Sequence, residues 1–150
     1  MTADLPDPQR LDACRRALLR KGGQALIVDD DHDLSSLIET LLDGSGFFVT
    51  TAHSAWDAQH LLGLSDAPPD QPLKPDVLIL DYELGGTTGF ELLSRLRQVE
   101  AGRGVKVLLI TGSSKSIPDT MRLDADAYLR KPFDSVLFLE TLIRLLGLES

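Results

Sequence analysis

The sequence has one cysteine, Cys14, so no disulfide can close within the chain. No window is long and apolar enough to suggest a membrane span, and the first 25 residues hold no uninterrupted apolar run of signal-peptide type. Those absences predict no membrane partner and leave the cytoplasm as the default compartment. Basic residues are also scarce. The formal net charge is −8 and no basic run exceeds a pair such as Arg15-Arg16, so a surface that tracks phosphates has little to rest on and direct nucleic-acid binding is not expected.

What is present is an ordinary globular composition, 43% hydrophobic and 25% charged over 150 residues, enough for one buried core and too little for two. The charge is unevenly spread. Residues 1–23 carry five basic and three acidic side chains, which leaves 10 basic against 20 acidic in residues 24–150. The segment Gln9 to Arg20 places Leu11, Cys14 and Leu18 on one face and Arg10, Arg15, Arg16 and Arg20 on much of the rest, which predicts an extra N-terminal helix joined to the body by Gly22-Gly23. Such a helix could dock a partner, pair two chains into a homodimer, or lie on its own domain. Domain division is expected at 1–23, an extension, and 24–150, the main domain, with the extension dispensable for folding.

The body alternates short apolar runs with amphipathic segments, the rhythm of βα units around a parallel sheet. Strands are predicted at Ala25–Val28, Phe47–Ala52, Val77–Leu80, Val105–Ile110 and Ala127–Leu129. Helices are predicted after Asp31, after Ser54 as N-cap, over Phe90–Val99, and over Asp134–Leu146. The stretch Ser65 to Pro75 holds four prolines and reads as a loop. Ser116-Ile117-Pro118-Asp119 reads as a capping box for a short helix ending near Leu123. The expected class is α/β with a doubly wound, five-stranded parallel sheet. The last helix runs almost to the final residue, so no output domain is expected within this sequence.

In an open parallel sheet, reactive groups collect at the carboxyl ends of the strands. Strand one ends in Asp29 and Asp30, strand three in Asp81 and strand four in Thr111, while Lys131 follows strand five. Clustered carboxylates repel unless a hard divalent cation neutralises them, and Mg²⁺ prefers oxygen ligands. An ion held in this way can also bind an incoming phosphoryl group as a carboxylate attacks phosphorus. Asp29-Asp30-Asp31 has a plainer reading as helix-start carboxylates, which accounts for one of the three. His32, His53 and His60 show no convincing metal spacing and are expected at the surface or partly packed. Gly85-Gly86 lacks the context of a phosphate-cradling loop.

The stretches ALIVDDD, VLILDYELGGTTG, VLLITG and YLRKPF resemble the receiver domain of response regulators, over roughly residues 24–148. The resemblance implies a flavodoxin-like fold with strand order 2-1-3-4-5 and a Mg²⁺-dependent phosphoacceptor served by a histidine kinase or histidine phosphotransfer protein, signalling to an unknown downstream protein. It makes Asp81 the phosphoacceptor, Asp30 a direct metal ligand, Asp29 a ligand partly through water, and Glu83 the donor of a backbone carbonyl to the metal. Thr111 corresponds to the switch hydroxyl, Lys131 to the phosphate-binding lysine, Tyr128 to the aromatic whose rotamer follows the threonine, and Pro132 to a proline usually preceded by a cis bond. The sequence departs from the family in Leu84-Gly85-Gly86, where a proline is usual and a more mobile loop is expected. It departs again in the short stretch from Thr111 to Lys131. Rival readings are a hydrolase with an aspartyl nucleophile, for which Glu83 would be the acid two residues on but no substrate cap is visible, and a degenerate receiver acting as a scaffold.

Overall fold

The computed structural model describes residues 7–84, 87–112 and 124–148. The chain begins with α1 (Pro8–Leu19), then β1 (Gly23–Val28), α2 (His32–Leu42), β2 (Phe47–Ala52), α3 (Ala55–Leu61) and β3 (Val77–Asp81). A short hairpin follows, β4 (Glu83–Leu84) with β5 (Thr87–Thr88), and then α4 (Phe90–Gln98), β6 (Lys106–Thr111), β7 (Ala127–Arg130) and α5 (Ser135–Leu145). The main sheet has the order β2-β1-β3-β6-β7 and every pairing in it is parallel. Counting only these five strands, this is the expected 2-1-3-4-5 order. The reversal of direction next to β1 puts the ends of β1 and β3 side by side, where a doubly wound sheet opens its crevice.

The two faces of the sheet bury separate apolar sets. Alternation along β1 sends Ala25 and Ile27 to one cluster, with Ile38, Leu41, Phe138 and Leu142, and Leu26 and Val28 to the other, with Leu92, Leu93 and Leu96. All five residues of β3 are buried, as a central strand covered by helices on both faces must be. Helix starts follow their caps: Asp31, Ser54 and Asp134 each accept backbone N–H groups from the first turn of the helix they precede. The Pro-rich stretch contributes neither helix nor strand, and Leu73 N–H returns to the Leu61 carbonyl at 2.8 Å, tying the loop to the end of α3.

Three features go beyond the sequence reading. The first is α1, which lies on its own domain: Leu18 is fully buried, Arg10 pairs with Glu140 of α5 at 3.2 Å, and the Arg15 guanidinium donates to the Leu41 carbonyl at 3.0 Å. The helix therefore packs into the same core cluster as the sheet and covers it like a lid. The second is the β4–β5 hairpin, in which Leu84 is buried and pairs with Thr87; the Gly85-Gly86 part of the loop expected to be mobile lies outside the described residues. The third is Arg97. Its guanidinium donates to the carbonyls of Gly102, Val105 and Asp124 at 2.7–3.0 Å and to the Asp126 carboxylate at 3.0 Å, pinning the starts of β6 and β7 together. The short helix expected over Ser116–Leu123 lies outside the described residues.

Truncating Leu18 to alanine removes a fully buried side chain between α1 and the core, so Leu18→Ala is expected to lower unfolding stability by about 2–5 kcal/mol. Urea denaturation measures this, and a loss under about 0.5 kcal/mol, the size of an ordinary surface effect, would show that α1 is not docked in solution.

Candidate phosphoacceptor and metal site

Each side chain of the site sits at the carboxyl end of a strand because the parallel registers align those ends. Val28 pairs with Leu80, Asp81 with Ile110, and Thr111 with Arg130, so the residues just beyond Val28, at Asp81, at Thr111 and after Arg130 converge. Asp29, Asp30 and Asp81 each place a carboxylate oxygen within 4.8 Å of the others, the one group of three or more potential metal-ligating residues among the described residues. Asp29 and Asp81 are buried and Asp30 is exposed, so the cluster opens to solvent on one side. Lys131 enters from the end of β7, with Nζ 3.1 Å from Asp81 Oδ2. The other Asp81 oxygen accepts from the Glu83 backbone N–H at 3.2 Å. Thr111 is buried at the end of β6, and its carbonyl accepts from the Lys131 N–H at 2.8 Å. The Lys131-Pro132 peptide is cis.

The third aspartate has a different task. Asp31 caps α2, its carboxylate accepting the N–H groups of Asp33 and Leu34, while its own N–H donates to Asp29 Oδ1 at 2.8 Å. The helix-start reading thus holds for Asp31, and Asp29 and Asp30 are left for the cluster. Glu83 presents its side chain to solvent from β4. Tyr128, on β7, is 40% exposed.

Burial pushes the Asp29 carboxyl up to about 6, and the negative charge of Asp81 adds to it, against the opposing pull of the Asp31 N–H and of Lys131. One cation does not neutralise this many carboxylates. The donor set, three carboxylates with no nitrogen or sulfur ligand, is that of a hard divalent ion.

One neighbour was not legible as part of the site. His53 contacts the Asp29 carbonyl through Nδ1 at 2.9 Å and stacks on His32 with ring centroids 3.8 Å apart. The pointer to it lay in strand order: with β2 beside β1, the residue after Ala52 must lie next to the one after Val28. As expected, His32 is exposed, while His53 and His60 are half-buried.

Residues 25–143 match the family model described as response regulator receiver domain. The chain belongs to that family. As a receiver domain it is the phosphoacceptor module of two-component signalling. It is 35% identical over 111 residues to the transcriptional regulatory protein CpxR of Klebsiella pneumoniae, covering 73% of this chain but only 43% of that protein. Among solved structures it resembles a response regulator receiver protein from Burkholderia phymatum, with 32% identity, a TM-score of 0.67, and coverage of 85% of this chain and 97% of that one. It also shares its fold, at 23% identity and a TM-score of 0.70 over 84% of this chain and 98% of that one, with the receiver domain of a Pseudomonas aeruginosa sensor histidine kinase that has a magnesium ion coordinated in its active site cleft. Among the described residues of this receiver domain, no helix is long and apolar enough to cross a membrane.

The raised Asp29 pKa fixes a sign for metal-free stability. The folded state binds more protons than the unfolded chain between about pH 4, near the ordinary value of 3.8, and about 6, so the stability associated with neutral Asp29 is lost as pH rises through that window. In a chelator-containing buffer, Asp29→Asn is therefore expected to be more stable than the natural protein, by a margin that grows from pH 4 to about pH 6 and is level above it. Paired thermal melts across that range test this, and a margin that shrinks with rising pH would contradict it.

Proposed function

We propose that this receiver domain takes a phosphoryl group from a phosphohistidine onto Asp81 in a Mg²⁺-dependent reaction, and that Asp29, Asp30, Thr111 and Lys131 assist. The observation that carries the reading is the Lys131 ammonium, 3.1 Å from a buried Asp81 carboxylate that shares its pocket with Asp29 and Asp30. A nucleophile, a phosphate-binding cation and a set of oxygen ligands thus occupy one cleft. The magnesium ion described for the Pseudomonas receiver domain supports the choice of metal.

In the transfer, an Asp81 carboxylate oxygen attacks phosphorus, the O–P bond forms as the N–P bond of the phosphohistidine breaks, and the donor imidazole leaves with the electron pair. Lys131 shifts from the Asp81 oxygen to an oxygen of the arriving group, so its charge is used in both states. The Glu83 N–H keeps Asp81 oriented through the hydrogen bond to Oδ1. Asp30 directly, Asp29 partly through water, and the Glu83 carbonyl would join Asp81 in holding Mg²⁺, whose chemical contribution is to neutralise charge on the transferring group. The same machinery lets water remove the phosphoryl group later, so the domain assists both its own phosphorylation and its own dephosphorylation without turning over a separate substrate.

The donor in this reading is a histidine kinase or phosphotransfer protein in the cytoplasm, and output runs through protein contacts. A phosphoryl group beside Thr111 adds acceptor oxygens, the hydroxyl moves to meet them, and the vacated space admits Tyr128 from its exposed position. The domain proper is residues 24–150, with 1–23 an added segment that contributes α1.

Incubation with acetyl phosphate and Mg²⁺ is expected to add one phosphoryl group by intact-mass measurement, with none added in Asp81→Asn. Undiminished labelling of that variant would overturn the assignment of Asp81. With a Mg²⁺–beryllofluoride mimic bound, NMR signals of Thr111 and Tyr128 are expected to move, and unchanged signals in the presence of bound mimic would remove both from the switch.

A further inference from the structure

Lysines gather at the end of the sheet opposite the phosphoacceptor cleft. At the amino-terminal edge, Lys21 lies two residues before β1, Lys74 three before β3, and Lys106 opens β6. These are three of the five lysines in a chain of net charge −8, and all three line one pocket of about 460 Å³ whose apolar floor includes Val105 and Leu146. That size lies in the range of pockets for small ligands. Because the strands are parallel, the pocket sits a strand length, roughly 20 Å, from Asp81.

One carboxylate answers these lysines. Asp76 pairs with Lys21 at 3.1 Å and accepts the Gln24 N–H at 2.8 Å. Partial burial raises its pKa, but the Gln24 N–H and the Lys21 ammonium outweigh this and hold it below the usual carboxylate range, so it stays ionised and neutralises Lys21. Gly23 makes the approach possible, since a Cβ there would run into the Asp76 carboxylate. Lys74 and Lys106 have no ion pair and no side-chain hydrogen bond among the described residues. With Asp76 set against Lys21, the pocket keeps a net charge of +2 in an otherwise acidic body. Ammonium groups with no carboxylate partner, gathered over an apolar floor, suit an anion carrying more than one negative charge.

We propose that the pocket formed by Lys21, Lys74 and Lys106 binds a small phosphate-bearing anion, at a site separate from the phosphoacceptor cleft. It is independent of the reading given for Asp81.

The test uses the whole chain, ¹⁵N-labelled, in chelator-containing buffer so that the metal cleft takes no part, titrated with inorganic pyrophosphate. Amide shifts are expected at Lys21, Lys74, Asp76 and Lys106 and not at Lys131, with affinity reduced about tenfold or more in Lys74→Gln/Lys106→Gln, as expected when charge-assisted contacts are lost. Lys74→Arg, which keeps the charge, is expected to retain binding. Both lysines are exposed, so thermal melts of the variants should match the natural protein and separate lost binding from lost folding. Absent shifts, or shifts of equal size in the double variant, overturn the proposal. So does a tetraglutamate peptide shifting these amides where pyrophosphate does not, since the pocket would then serve an acidic protein segment.

Discussion

Mutual repulsion among Asp29, Asp30 and Asp81 is the constraint around which the rest of the domain is arranged. Carboxylates this close are unfavourable when ionised, and the charge of Asp81 adds to the burial that pushes the Asp29 carboxyl up to about 6. The fold sustains the arrangement by brute packing. Behind Asp81 lies a strand buried from end to end, and behind Asp29 and Asp30 the last four residues of β1 are buried, with helices covering both faces. Lys131 relieves part of the repulsion and the Asp31 and Glu83 N–H groups a little more. The remainder is held as a standing attraction for positive charge, which is what a phosphoryl-transfer site needs at the moment negative charge accumulates.

Much of this was legible in the sequence because the signals were local and repeated. Short apolar runs, those ending at Val28, Leu80 and Ile110 followed directly by Asp29, Asp81 and Thr111, mark both the strands and the end of the sheet where chemistry gathers. The cap at Ser54 was legible for the same reason, a short polar residue before an amphipathic run, and Asp31 fell among the helix-start carboxylates, while Asp134, read as the first residue of its helix, is its cap. What escaped was non-local. Arg97 looks like any exposed helix cation, and only the folded chain reveals the four backbone carbonyls and one carboxylate around it. The docking of α1 was left open because an amphipathic helix with one apolar stripe fits its own domain and a foreign surface equally well. The pairing of Leu84 with Thr87 also escaped, because two-residue strands are too short to carry a readable alternation of apolar and polar side chains.

The two ends of the sheet differ in sign as well as in residue type. At the phosphoacceptor cleft three acids meet one lysine, in the pocket at the opposite edge three lysines meet one acid, and the central strand β3 between them is buried from end to end. Charge in this domain is therefore sorted along the strand direction while the interior stays nearly free of it. Such sorting is cheap in a parallel sheet, where all amino ends lie on one edge and all carboxyl ends on the other, and difficult in an antiparallel one, where the two kinds of end alternate.

The placement of α1 against α5 has a consequence for how the chain is made. Arg10 and Glu140 stand 130 residues apart in sequence, so α1 is synthesised well before the helix it docks on. At roughly 5–20 residues per second, Leu18 emerges from the ribosome on the order of ten seconds before α5 is available to cover it. During that interval the helix depends on its own arginines for solubility, and the five-stranded sheet must assemble with its lid still open. The order of synthesis and the order of packing run in opposite directions here, and the arginine-rich face of α1 is what makes the wait tolerable.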